Sequence, residues 1–188
     1  IMDHAELDGI SATTADDEDI RSALAGTALE LMEQLAQDQH RAQEASRWRA
    51  GWNQTRRDGV PQSALSLPPY EYLWLYMFGG HAAVTKRARN LLSRRVLNFP
   101  RLVVLATRDD QPQDWLGAGY AMEFALLRAA AYGIQASFMG CLINPPAARA
   151  RTQSILGLRR IPQMVIGLGH TASQPATPRR PLDDVLIP

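Results

Sequence analysis

Between Arg101 and Thr107 the chain reads Leu-Val-Val-Leu-Ala, with Pro100 before it and the polar breaker Asp109-Asp110-Gln111-Pro112 after it. A short continuous apolar run of this kind predicts a strand buried on both faces. From Asp114 to Tyr132 the pattern changes to a long Ala-rich stretch, with Trp115, Leu116, Tyr120, Met122, Phe124, Leu126 and Leu127 distributed almost all the way round a helix. A helix apolar on nearly every side belongs in the middle of a domain or at a large subunit interface. Gly133 is its predicted stop. Ile134 to Phe138 reads as a short strand ending at Met139-Gly140-Cys141, and Pro145-Pro146 opens a helix from about Ala147 to Leu156 that Gly157 terminates. Ile161-Pro162 then leads into Gln163-Met164-Val165-Ile166-Gly167-Leu168-Gly169, a buried strand expected to end in a tight turn at its Gly-x-Gly. The second half therefore alternates strand, helix, strand, helix, strand.

The first half is less regular. Gly9 to Thr14 suggests a short strand. Asp16, Asp17, Glu18 and Asp19 supply a cap and first-turn negative charge for a helix from about Glu18 to about Asp38, with apolar residues at Ile20, Leu24, Ala28, Leu31 and Leu35. A second helical piece, about Arg41 to Trp52, carries Trp48 and Trp52 on one face. Residues 53–69 show neither period; Asp58-Gly59-Val60-Pro61 is a turn signal, and a segment of this length is either a plain connection or a lid or arm. Tyr70 to Phe78 is aromatic-rich, and Lys86, Arg87, Arg89, Arg94 and Arg95 follow on a predicted helix whose basic run reads as a solvated face ahead of a phosphate contact.

Composition narrows the function classes. The 188 residues are 46% hydrophobic and 21% charged, ordinary for one globular domain, and a net charge of +1 points to neither a nucleic-acid nor a membrane partner. No apolar run approaches a membrane span, and no signal peptide opens the chain; with a single cysteine, Cys141, the reading is a cytoplasmic protein, and the opening Ile1 suggests a processed chain or a fragment of a longer one. His4, His40, His81 and His170 are too scattered for a metal site, no paired-Cys spacing or Walker or Rossmann glycine pattern occurs, and no acid–base pair stands out as catalytic. Two features remain. A glycine at the strand end Phe138-Met139-Gly140 lets main-chain N–H groups approach a ligand. Thr177-Pro178-Arg179-Arg180-Pro181 is either a solvated pair in a tail or two guanidinium forks held for a phosphate.

Taken together and in order, these segments resemble the nitroreductase superfamily, whose members bind FMN. The resemblance runs from Leu102 to Leu186 through the Leu-Val-Val-Leu-Ala run, Ala131-Tyr132-Gly133, Met139-Gly140, Leu156-Gly157-Leu158, Val165-Ile166-Gly167-Leu168-Gly169 and Arg179-Arg180-Pro181-Leu182. Asp114-Trp115-Leu116, Pro162-Gln163-Met164, Thr177-Pro178-Arg179-Arg180-Pro181 and Arg57-Asp58-Gly59-Val60-Pro61 are similar to the Acg-type branch, in which a lid covers the flavin. The resemblance implies an α+β fold, a central and mainly antiparallel sheet flanked by helices, with residues 53–69 as lid. It implies FMN as cofactor, with Met139 and Gly140 at the ring edge and Arg179 and Arg180 on the phosphate. It implies hydride transfer from NAD(P)H to a nitro or quinone-like acceptor without an indispensable protein acid or base. The family's early Arg-Arg-Ser motif has no equivalent before residue 86. That leaves a homodimer or a missing N-terminal half to complete the site. Two alternatives stand beside the enzyme: a non-catalytic protein that sequesters FMN, and a dimerisation half that binds none.

Overall fold

A computed structural model describes residues 9–36, 38–48, 58–59, 94, 96–171 and 179–186. The chain divides into two compact units, Ile1–Met32 with Leu91–Ala172, and Glu33–Asn90 with Ser173–Pro188. The expected lid at 53–69 (save Asp58 and Gly59), the aromatic run at 70–78 and most of the basic helix lie outside the described residues.

The first unit is built on a four-stranded antiparallel sheet: β1 (Ile10–Thr14), β2 (Arg101–Thr107), β3 (Gln135–Phe138) and β4 (Ile161–Gly169), in the order β1-β2-β4-β3. Among the described residues the bounded α-helices are α1 (Glu18–Ala36), α2 (Gln39–Trp48), α3 (Pro112–Ala131) and α4 (Pro146–Ile155), and residues 96–98 are also helical. This is the expected α+β architecture. β2 lies inside the sheet, and every residue from Leu102 to Thr107 is buried. Its alternate residues serve two cores. Leu102 and Val104 pack with Leu24 and Ala28 of α1, Val96, Met139, Leu142 and Val165. Val103 and Leu105 pack with Ile10, Ile166 and Ala121 of α3.

Local chemistry sets the element ends. The Asp17 carboxylate accepts the main-chain N–H groups of Asp19 and Ile20 at 2.9 and 3.1 Å and caps α1. α3 starts two residues earlier than the apolar pattern suggests, because Pro112 suits the first turn and the Asp114 carboxylate accepts the Gln111 N–H at 3.0 Å. At its other end Gly133 takes φ 68°, and the N–H groups of Gly133 and Ile134 each donate at 2.9 Å to the carbonyls of Ala130 and Ala129. Gly157 ends α4 in the same way at φ 60°.

The Gly-x-Gly of β4 is not a turn. β4 runs through Gly167 and on to Gly169, pairing with β2 on one side and β3 on the other. The glycines admit neighbours instead: a Cβ on Gly167 would overlap the Phe99 ring, and one on Gly169 would stand 3.0 Å from Pro100. The Phe99–Pro100 corner therefore lies directly on the strand and leads the chain into β2.

Candidate functional site

The turn after β3 is held from several sides. The Met139 N–H donates to the Val165 carbonyl at 2.9 Å, and the Met139 carbonyl accepts from the Leu142 N–H at 3.0 Å. Its side chain is buried in the core beside Leu102 and Leu142. The Gly140 carbonyl accepts from the N–H groups of Ile143 and Asn144 at 3.1 and 2.8 Å. Two side chains of α4 fix the same turn: Thr152 donates its buried hydroxyl to the Leu142 carbonyl at 3.0 Å, and Arg149 donates from Nε to the Ile143 carbonyl at 3.3 Å. Gly140 leaves room for Asn144, whose Nδ2 would be 3.1 Å from an added Cβ. Phe138, on the edge strand, is half exposed. The outcome is a rigid main-chain corner flanked by an apolar ring and a carboxamide. Met139 contributes a core anchor to it; its N–H is already paired within the sheet.

A polar network braces the end of the sheet at which β2 finishes and β4 begins. β4 carries one extra residue here: Leu105 pairs with Met164 and Ala106 with Pro162, so Gln163 bulges. The bulge also accommodates Pro162, which has no N–H to donate. The Gln163 carboxamide donates to the Thr107 hydroxyl at 2.9 Å and to Asp110 at 3.0 Å. Asp110 further accepts from the Trp115 indole N–H at 2.6 Å and from Arg149 at 2.9 Å. The hydrogen bond from Gln163, then that from Trp115, holds the Asp110 carboxyl below the ordinary aspartate range, with Arg149 adding to the effect against some desolvation. Because Arg149 touches both Asp110 and Ile143, it ties this network to the Gly140 turn.

The remaining predicted residues fall as follows. Arg179 and Arg180 belong to the second unit, where both are exposed ahead of Pro181 and a short 3-10 turn, Leu182–Asp184. Burial pushes the Cys141 thiol above its usual pKa, which suits a packing residue rather than a nucleophile. Among the described residues no three His, Cys, Asp or Glu side chains come together as a metal site. Asn144, Arg149 and Gln163 escape a reading of the sequence: only the bulge and the docking of α4 bring them to these positions.

No family model matches the chain, and no curated protein matches it. Solved structures do match. A variant of the FMN and NADPH-dependent nitroreductase NfnB from Sphigopyxis sp. strain HMH superposes with TM-score 0.58 at 15% identity, over 96% of this chain and 80% of that one. This chain has a nitroreductase-like fold. The FMN-dependent nitroreductase NfnB from Mycobacterium smegmatis, solved with NADPH, gives TM-score 0.56 at 13% identity over 95% and 78% of the two chains. A nitroreductase with bound FMN from Bacteroides fragilis gives 0.53 at 14% identity over 97% and 77%. These matches are to the nitroreductase-like fold in general and single out no branch within it. Among the described residues no helix is long and apolar enough to cross a membrane.

Proposed function

We propose that the chain is an FMN-dependent NAD(P)H oxidoreductase of nitroreductase type, acting in the cytoplasm on nitro or quinone-like small molecules. The observation that carries this reading is the braced Gly140 corner at the end of an edge strand, within a fold shared with FMN and NADPH-dependent nitroreductases. The corner suits the edge of a planar heterocycle: Phe138 offers apolar surface, Gly140 has no side chain to block approach, and Asn144 offers an amide. Arg179 and Arg180 are assigned to the phosphate, for which two neighbouring guanidinium groups are apt donors. A bound flavin would supply the redox chemistry; the protein's part is to orient it and to exclude water. Residues 53–69 are assigned as the lid, and the Acg-type branch as the likeness carried by the sequence motifs. A second copy of the chain completes the site, docking on α3.

The absorbance spectrum of the purified chain, before and after adding FMN and desalting, tests the reading. Flavin bands that survive desalting and bleach with NADH or NADPH support the enzyme. Bands that survive but do not bleach mean a flavin-sequestering protein. A protein that cannot retain FMN overturns both and leaves a dimerisation half.

A further inference from the structure

A concavity lies on the α3 side of the sheet, away from the core that holds the Met139 side chain. Its volume is about 510 Å³, within the range of small-molecule pockets. The pairing register explains its composition. Thr14 opposes Val103, Val103 opposes Ile166, and Arg101 opposes Leu168, so these five side chains share one face. Ala125 and Leu126 of α3 roof the space, and Ile134, Gly169 and His170 close one side. α3 presents the small side chain of Ala125 there, which leaves space between the helix and the sheet. Thr14 ends β1, Arg101 begins β2 and His170 follows β4, so the polar groups gather at one end of the sheet while the walls are aliphatic.

The chemistry of the lining is one-sided. Among the described residues no carboxylate lines it. Arg101 is the permanent charge, and it pairs through one terminal nitrogen with Asp16 at the exposed rim. An exposed pair of this kind is weak and leaves the guanidinium four further N–H donors. The His170 ring contacts the Gly133 carbonyl through Nδ1 at 3.2 Å, which holds the ring in place at the same end. We propose that this cavity is a binding site for a compact aromatic or branched aliphatic carboxylate. Its apolar body would lie against Val103, Leu126, Ile134, Ile166 and Leu168, and its carboxylate on Arg101. The inference is independent of the flavin reading, because every described lining residue belongs to the first unit and none of them is assigned to FMN.

The test uses the full chain without added flavin and 1-naphthoate as probe. Calorimetric titration is expected to give one saturable site. Backbone amide shifts in 1H–15N spectra should centre on Ile134, Gly169 and His170. The neutral isostere 1-naphthamide should bind about tenfold more weakly, and R101Q should weaken 1-naphthoate by a similar factor while leaving the amide unchanged. Ala125→Phe fills the space and should abolish binding of both. Should that variant fail to fold, R101Q, on an exposed side chain, and the shift map still decide. The proposal is overturned by absence of saturable binding, by equal affinity for acid and amide, by shifts that centre elsewhere, or by a folded Ala125→Phe protein that binds as before.

Discussion

A methyl group on Gly167 would overlap the Phe99 ring, because the ring lies flat on the strand at that point. G167A must therefore push Phe99 off β4 or distort the strand, and overpacking of this kind destabilises by about 1–3 kcal/mol. Urea unfolding should show the loss as a lower midpoint. G140A presents the contrast: its new Cβ meets only the end of the exposed Asn144 side chain, which can turn away, so its unfolding midpoint should move little. Any loss of FMN retention in G140A would then report on the corner itself. Asp110 gives a residue-scale prediction in pH. Its folded pKa lies below its unfolded value of about 3.9, so its contribution to stability is present above that value and is lost as pH falls through the folded pKa. Acid unfolding of the wild type should steepen below about pH 4. D110N, which cannot ionise, should be less stable at neutral pH and show a shallower acid limb in urea midpoints measured across the range.

α3 is the element with the most to explain. It buries Ala118, Ala121 and Ala129, yet Leu116, Tyr120 and Leu127 are 63%, 67% and 63% exposed, with Phe124 half exposed between them. These four recur at helical spacing and form a second apolar stripe, directed away from the sheet. Of the two settings that such a helix allows, a subunit interface accounts for the exposed stripe better than the middle of a domain does. The replacement L116E with L127E, placing two charges in the stripe, should convert a dimer to a monomer in light scattering while the far-ultraviolet dichroism stays native. A wild-type monomer would sink the interface. The small residues facing the sheet have a separate consequence: they let α3 approach closely at Ala121 and leave the cavity open beside Ala125.

At the scale of the whole molecule, the flavin reading assigns the FMN phosphate to Arg179 and Arg180. R179A and R180A should each weaken FMN binding about tenfold, measured by flavin fluorescence, without lowering the unfolding midpoint, since both side chains are exposed. Unchanged FMN affinity in the double variant would remove the pair from the phosphate. Much of the first unit's architecture was legible along the chain, because strands and helices announce themselves through local period and through Gly133, Gly157 and Asp17 at their ends. Leu102 to Ala106 needed no partner to be recognised as a buried strand, since five apolar residues rich in β-branched valine between Pro100 and a polar breaker are too short for a buried helix. The site was legible only in outline. Met139-Gly140 could be placed at a strand end, but not the pairing of Met139 with Val165, which depends on register across the sheet. The Gly-x-Gly of β4 invited a turn, and only the packing of Phe99 and Pro100 shows why both glycines are in the strand. Gln163 reaches Asp110 through a bulge that no local pattern marks. Periodicity, caps and breakers act over a few residues and so were determined by the sequence alone. The braced corner, the polar network and the cavity under α3 were decided by tertiary structure, because each depends on which distant side chains the sheet register and helix docking bring into contact.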